Sequence, residues 1–174
     1  MTKILKFALG LVLAVATVVT TVHAGGISLG EFTTKFNEAN HPRVANLRLA
    51  ASSVHGTVLK PGEVFSYNAT VGPTTEARGY KKAKIIVEGQ EKEGFGGGVC
   101  QISSTLYNAA KTAGLEIVER HAHSKEVVYV AKDKDAATSY GGIDLKFKNT
   151  KPFPVVLHTT LEGNTVIAKI KQAP

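Results

Sequence analysis

Three consecutive glycines that lead directly into a helical pattern are the feature that most constrains the fold of this chain. This glycine loop, Gly96–Gly98, is followed by Val99 and Cys100, with the helical pattern continuing beyond them. The first turn of such a helix has N–H groups without intrahelical partners. Those donors and the positive end of the helix dipole favour an anion, either a Cys100 thiolate or a charged group of a ligand. The sequence therefore predicts that the functional site lies at this loop.

The spacing of apolar residues indicates which side of this helix faces the core. At about 100° per residue, five of them share one arc. They are Ile102, Leu106, Ala109, Ala110 and Ala113. Cys100 lies on the other side with Ser103, Ser104 and Tyr107, and we expect these polar neighbours to contact the ligand. The alternative stays open that Cys100 is a small buried hydrophobe, because free cysteine is among the most buried residue types.

The first 24 residues have the pattern of a secretory signal peptide. Lys3 and Lys6 form a basic start, residues 7–19 are mostly apolar, and residues 22–24 precede a possible cleavage position. The apolar stretch is shorter than the roughly 20 residues of a membrane-spanning helix. We therefore expect a secreted or extracytoplasmic protein. Membrane attachment is expected only if this segment is an uncleaved N-terminal anchor.

Cleavage after Ala24 would leave residues 25–174, which suffice for one domain with a core. The formal net charge of the whole chain is +7. Such a positive charge suits an anionic partner such as a cell-wall polymer, although a net charge that keeps the protein soluble is an equally simple explanation. Nucleic acid is not expected, because the chain has no basic run and no interleaved aromatic residues. A single cysteine cannot form an intrachain disulfide, so the thiol is reactive, intermolecular or buried.

Two helices and several short strands are predicted along the chain. The helices begin at His41 and at Gln101 and end at Gly56 and Gly114. Extended segments are predicted at residues 27–36, 63–67, 84–88, 115–123, 126–130, 143–148, 155–160 and 165–171. This arrangement predicts an α+β fold, a single compact domain in which a mainly antiparallel sheet packs on two helices.

A distance argument places two histidines beside the cysteine. Residues 101–113 in a helix, at about 1.5 Å each, span roughly 20 Å. A strand that returns from Gly114 covers that distance in about six residues. His121 and His123 then lie level with Cys100. Because side chains alternate along a strand, both histidines share its apolar, helix-facing side.

A thiol within hydrogen-bond reach of an imidazole is the core of cysteine-nucleophile chemistry. We expect Cys100 to be the nucleophile and His123 or His121 to take its proton. A third group usually orients the base, and Asp144 is the first candidate, with Asp135 the second. This constellation predicts a catalytic site for acyl transfer.

The oxyanion of an acyl-transfer intermediate is expected to contact N–H groups of the glycine loop together with Gln101. Two alternatives use the same residues. In the first, the cysteine and both histidines bind zinc, with Asp144 or water as the fourth ligand. In the second, the protein is a binding module whose loop and helix start hold an anionic group. Our first expectation includes no metal and no cofactor.

Two segments resemble the signature of the VanW-like proteins. They are residues 96–109, Gly-Gly-Gly-Val-Cys-Gln-Ile-Ser-Ser-Thr-Leu-Tyr-Asn-Ala, and residues 114–124, which contain Glu-Arg-His. Similar stretches occur at residues 43–51, 61–68, 79–80, 135–136, 140–141 and 144–145 and at Asn149. The resemblance covers nearly all of residues 25–174. It is to a family that is named after an accessory protein of vancomycin-resistance clusters.

The resemblance implies an exported or membrane-anchored protein of the cell envelope, with peptidoglycan or its precursors as partner. It implies no settled biochemical activity. Together with the residue pattern, it predicts a cysteine-dependent acyl transferase or hydrolase that acts on peptide or amide bonds of wall material. The alternative is a non-catalytic binding module for anionic wall or precursor groups.

Overall fold

The computed structural model describes residues 26–174, so the predicted signal peptide lies outside the described residues. The helices are α1 (His41–Val54), α2 (Tyr67–Val71) and α3 (Val99–Thr112), with a 3₁₀ turn at Glu76–Arg78. The strands are β1 (Ser28–Lys35), β2 (Val58–Leu59), β3 (Val64–Ser66), β4 (Lys82–Val87), β5 (Gln90–Phe95), β6 (Glu116–Glu119), β7 (Lys146–Lys148), β8 (Val155–Glu162) and β9 (Thr165–Gln172).

The strands form three antiparallel sheets. The largest has the order β1–β9–β8–β2, the second has the order β3–β7–β6, and β4 and β5 form a two-stranded ribbon. The predicted α+β class with mainly antiparallel pairing is therefore confirmed. The two predicted helices are α1 and α3, and α2 is a short third helix. Along residues 26–174, no helix has both the length and the apolarity needed to cross a membrane.

Helix α3 lies at the centre of the domain. It packs on β1 and β9 of the four-stranded sheet and also contacts α1 and β6. The five residues of its predicted apolar arc are all buried. The opposite side is buried too, including Ser103 and Ser104, because residues 135–138 cover it. The polar side of α3 therefore faces protein, and only the start of the helix reaches a cavity.

Local sequence explains where α1 begins. The side chain of Asn40 accepts a hydrogen bond from the backbone N–H of Arg43 at 3.3 Å, which caps the helix, and Pro42 occupies its first turn. Buried apolar residues of α1, among them Leu47 and Val54, then pack toward β8 of the large sheet. This fixes α1 beside the N-terminal end of α3.

Four strand predictions differ from the structure. The one at residues 143–148 forms a strand only over Lys146–Lys148. Residues 126–130 do not form a strand, because their apolar side chains line a cavity and Val128 is fully exposed. The strand after α3 is shorter than residues 115–123, ending at Glu119. The predicted strand at residues 84–88 is not buried but belongs to the β4–β5 ribbon, whose second strand was not predicted because residues 90–94 are polar apart from Gly94.

Candidate active site

A cavity of about 660 Å³ opens at the N-terminal end of α3. Cys100 and His123 line it, together with parts of the glycine loop. The ribbon β4–β5 and residues 126–129 supply much of its apolar surface. Cys100 is half-buried and forms part of the wall of this cavity.

Cys100, His123 and Asp135 lie next to one another in the order expected of a nucleophile, a base and an orienting acid. Asp135 accepts a hydrogen bond from ring Nδ1 of His123 at 2.6 Å. The imidazole of His123 in turn lies beside the Cys100 side chain and lowers the pKa of its thiol. Since Nδ1 is occupied by Asp135, Nε2 is the ring nitrogen that faces the sulfur. The His123 side chain is only 8% exposed, so this contact is largely shielded from bulk water.

The environment of the pair shifts both pKa values in the direction that favours charge separation. Burial raises the pKa of the Cys100 thiol, but His123 and then Thr138 outweigh it, so this pKa lies below its ordinary value. Burial lowers the pKa of the His123 imidazole, whereas Cys100 and Asp135 raise it, and this pKa lies above its ordinary value. The arrangement therefore favours a thiolate next to an imidazolium.

The segment 135–138 connects these groups. The backbone N–H of Ala137 donates to the carbonyl of His121 at 2.8 Å, in an isolated antiparallel bridge beyond the end of β6. Thr138 follows, and its carbonyl accepts a hydrogen bond from the Cys100 thiol at 3.5 Å, with its hydroxyl oxygen 3.7 Å from the sulfur. This segment thus brings Asp135 to His123 and Thr138 to Cys100.

The glycine loop has a geometry that side chains would obstruct. Gly98 caps α3 with φ 111°, and a Cβ there would lie 2.9 Å from Cγ of Arg43. A Cβ at Gly97 would lie 2.5 Å from the carbonyl oxygen of Lys84. Asn46, fully buried on α1, donates to the carbonyl of Gly97 at 3.0 Å and so anchors the loop to that helix. These contacts fix the start of α3 in the wall of the cavity.

Two backbone amides at the start of α3 have no hydrogen-bond acceptor among the described residues. The N–H groups of Val99 and Gln101 donate to the carbonyls of Gly96 and Gly98 at 3.0 and 2.8 Å. Within residues 26–174, no acceptor takes the N–H of Gly98 or of Cys100. Both residues line the cavity, where a developing negative charge would be stabilised by such donors.

Comparison with known proteins assigns a family to this arrangement. The family profile described as VanW like protein matches residues 42–171, which include α1, the glycine loop, Cys100, His123 and Asp135. The chain belongs to the VanW family. The resemblance seen in the sequence is therefore confirmed.

Two relatives support the assignment. The uncharacterized protein YoaR of Bacillus subtilis (strain 168) is 43% identical over 145 residues, which are 83% of this chain and 48% of YoaR. The vancomycin B-type resistance protein VanW of Enterococcus faecalis (strain ATCC 700802 / V583) is 32% identical over 133 residues, 74% of this chain and 48% of that protein. The chain thus spans about half the length of these curated relatives. No solved structure matches it.

Two predicted site residues of this VanW-family protein lie away from the cysteine. His121 binds Glu119 through Nε2 at 3.1 Å, and its side chain is 42% exposed. Asp144 accepts hydrogen bonds from the hydroxyl of Ser66 at 2.6 Å and from the N–H of Asn68 at 2.9 Å, so it caps α2 instead of orienting a histidine. The first choice of orienting acid is corrected to the second candidate, Asp135.

The same separation argues against the zinc alternative. Its ligand set required both histidines to converge on Cys100, with Asp144 or water as the fourth ligand, and the ring of His121 is instead bonded to Glu119. In the described part of the chain, no group of three histidine, cysteine, aspartate or glutamate side chains is arranged to hold a metal ion.

The polar residues of α3 have structural partners. Gln101 is fully engaged, since its amide nitrogen donates to Thr34 and to the Lys35 carbonyl and its oxygen accepts from Arg43. Its side chain is therefore not the predicted oxyanion donor. Ser103 and Ser104 are buried and bind the backbone of Ala136 and Cys100. The ring of Tyr107 packs between the cations of Lys111 and Arg120. Ser103, Ser104 and Tyr107 do not line the cavity, so the expectation that they contact a ligand is corrected.

Several site residues were missed by sequence reasoning. They are Arg43, Asn46, Tyr129 and Thr138. Arg43 and Asn46 lie in the segment 43–51 that resembles the family, and this resemblance could have pointed to them. Nothing in the local sequence, however, links α1 to the glycine loop. Tyr129 lies in the segment predicted as a strand, where its ring instead packs at 6.5 Å from that of His123. Only the folded chain brings Arg43, Tyr129 and Thr138 to the cavity and Asn46 to the glycine loop beside it.

Proposed function

We propose that this protein acts in the cell envelope as a cysteine-dependent acyl transferase or hydrolase on peptide or amide bonds of peptidoglycan. The observation that carries the proposal is the placement of Cys100 beside His123 at the wall of an open cavity, with Asp135 hydrogen-bonded to Nδ1 of His123. The envelope location is supported by the predicted signal peptide and by the relative named as a vancomycin resistance protein.

The reaction begins with transfer of the thiol proton of Cys100 to Nε2 of His123. The thiolate attacks the carbonyl carbon of the substrate, and the oxyanion is held by the free N–H groups of Gly98 and Cys100. His123 then gives its proton to the leaving amine as the C–N bond breaks, which leaves a thioester on Cys100. Water completes hydrolysis, and a second amine completes transfer. Asp135 keeps the imidazole oriented throughout.

A matched pair of histidine variants tests this proposal together with a cysteine variant. Purified protein is incubated with peptidoglycan fragments, and newly released or newly joined amino groups are quantified. We expect C100A to abolish turnover, and H123Q to lower it by about 10²- to 10⁴-fold, the usual contribution of a general base. H121Q is the control, because that histidine is exposed and paired with Glu119.

The outcomes separate catalysis from binding. Full turnover by C100A would overturn the proposal, as would equal losses in H121Q and H123Q. A wild-type protein that binds the fragments without altering any bond would support the binding module instead. Circular dichroism of each variant shows that the fold is retained.

A further inference from the structure

Arg43 is a cation at the cavity wall whose hydrogen-bonding capacity is mostly unused. It stands in the first turn of α1, and Nη2 donates to Oε1 of Gln101 at 3.0 Å. Its guanidinium lies over the ring of Tyr129, with 5.9 Å between Cζ and the ring centroid. A guanidinium carries five N–H donors, and this contact to Gln101 is the one side-chain hydrogen bond that Arg43 makes within residues 26–174.

No carboxylate of the described residues neutralises this cation. The ion pairs in residues 26–174 involve other basic side chains, including Lys84 and Lys125, which both hold Glu91. Glu126 also lines the cavity, but none of the ion pairs of the described residues includes it or Arg43. Fully buried side-chain nitrogens of the described residues all have partners, so the unbonded nitrogens of Arg43 are open to the cavity.

Burial makes a charge without a hydrogen-bonded anionic partner costly, and a ligand anion would supply such a partner for Arg43. Burial lowers the pKa of the Arg43 guanidinium, and this effect exceeds the opposing influence of Tyr129 and Cys100. Partly desolvated charges in proteins are usually paired. A guanidinium fork fits a carboxylate in a bidentate manner, with two parallel hydrogen bonds.

We propose that Arg43 binds a free carboxylate of the peptide substrate and thereby selects peptides whose carboxylate lies close to the bond attacked by Cys100. The inference rests on the proposed function, because it assigns a substrate class to the same cavity. Gly98 supports the arrangement, since its missing side chain leaves room for the Arg43 stem. Arg43 is a specificity residue that contacts substrate, and it takes no part in proton transfer.

Two alkylating reagents of nearly equal size test this inference without a substrate. Iodoacetate carries a carboxylate and iodoacetamide is its neutral counterpart, and Cys100 is the only cysteine that either can label. The ratio of the two alkylation rates is measured in purified protein. Because both reagents meet the same thiolate, any change in the pKa of Cys100 cancels from the ratio. We expect R43Q to lower the iodoacetate-to-iodoacetamide ratio by about tenfold, as loss of one charge-assisted hydrogen bond implies.

Arg48 gives the matched control, because it is an exposed arginine on the same helix. R48Q is expected to leave the ratio unchanged, and R43K to lower it less than R43Q does. An unchanged ratio in R43Q would overturn the inference. If R43Q slows alkylation by both reagents equally, the ratio is also unchanged, and this result would indicate that Arg43 has a structural role through Gln101. None of these rates depends on turnover, so this test can fail while the C100A experiment succeeds, and the reverse also holds.

Protection experiments identify the anion. N-acetyl-alanine, its neutral amide and inorganic phosphate are each added during alkylation by iodoacetamide. We expect the carboxylate to slow labelling of the wild type and not of R43Q, and the amide to have a weaker effect. Protection by phosphate alone would overturn the assignment to a peptide carboxylate.

Discussion

Asp135 holds His123 with a single carboxylate oxygen: Oδ2 accepts hydrogen bonds from both the backbone N–H and ring Nδ1 of His123, each at 2.6 Å. The other oxygen, Oδ1, accepts from Arg120 at 2.7 Å, so the carboxylate itself cannot turn. The backbone contact sets the position of the residue and the ring contact sets its orientation. Nε2 of the imidazole is therefore directed at Cys100 without any further residue.

The first prediction follows from this relationship. D135N removes the negative charge that raises the pKa of His123, so the imidazolium is less favoured and the pKa of the Cys100 thiol increases. The rate of iodoacetamide alkylation against pH gives that pKa as its midpoint. In the wild type we expect a midpoint below the ordinary thiol value of about 8.5, and in D135N a midpoint that moves upward.

D144N is the control for this prediction. Asp144 is also a buried carboxylate with several hydrogen bonds, but its partners are Ser66, Asn68 and the N–H of Leu145. We expect D144N to lower the melting temperature without moving the alkylation midpoint. A midpoint that shifts equally in both variants would contradict the assignment of Asp135 as the orienting acid.

Stability in acid is the second prediction. The hydrogen bond from Lys146 is the largest of the contacts that lower the pKa of Glu119, to about 2. A carboxyl group in the unfolded chain has a pKa of about 4.3. Since the folded-state value is the lower one, the stabilisation is complete above about pH 4.3 and is lost as the pH falls toward 2. We expect the urea concentration at the midpoint of unfolding to fall as the pH is lowered through this window. In E119Q this fall should be less steep.

E63Q is a suitable comparison, because Glu63 is an exposed glutamate that is not hydrogen-bonded to Glu119 or Lys146. Its side chain accepts a hydrogen bond from the N–H of Lys60. Its urea midpoint should follow the pH dependence of the wild type. The same slope in E119Q and wild type would show that Glu119 does not contribute to acid sensitivity.

The third prediction concerns Asn46, whose amide joins α1 to two other segments. It donates to the carbonyls of Lys81 and Gly97 at 2.9 and 3.0 Å and accepts from the N–H of Lys81 at 2.7 Å. N46A leaves buried backbone groups without partners, at about 1–3 kcal/mol for each group. We expect a loss of about 3 kcal/mol in the free energy of unfolding, measured by urea denaturation. N37A, at an exposed asparagine, should change it by less than about 0.5 kcal/mol.

The fourth prediction separates backbone strain from steric contact at the glycine loop. Gly98 and Gly141 both have positive φ, at 111° and 78°, but a Cβ at Gly141 would meet nothing within 4 Å. G141A therefore reports backbone strain alone, about 1 kcal/mol. G98A adds the contact with Arg43 and should cost more, with a changed iodoacetate-to-iodoacetamide ratio as a second readout. Equal unfolding free energies for the two variants would contradict the described packing of Arg43.

Much of the fold was predictable because its signals are local. Asn40 and Pro42 mark the start of α1, apolar spacing gives the core side of α3, and residues 162–164 connect the final hairpin. The strand predicted over residues 126–130 was wrong because an apolar run is also what a cavity wall requires. Periodicity cannot distinguish these two uses, since both are compatible with a short run rich in valine.

The candidate site was predictable in part, because some of its signals are also local. The place of His123 beside Cys100 followed from the length of α3 and the direction of the returning chain. The choice between Asp135 and Asp144 did not follow, because Asp135 lies in a polar loop and Asp144 on the polar side of a predicted strand, and neither pattern indicates which acid meets a histidine. Asp135 reaches His123 because the backbone bridge between His121 and Ala137 holds the two segments side by side. This bridge depends on tertiary packing.

The sequence by itself determined the class of fold, the family and the position of the lone cysteine at a glycine-led helix start. These depend on neighbours along the chain, whose geometry is fixed by covalent connection. Only the tertiary structure decided which histidine and which aspartate meet the cysteine, and that Arg43 enters the same cavity. Those pairings join residues that are far apart in sequence, and the packing of α3 between the sheets and α1 selects among partners that are chemically equivalent.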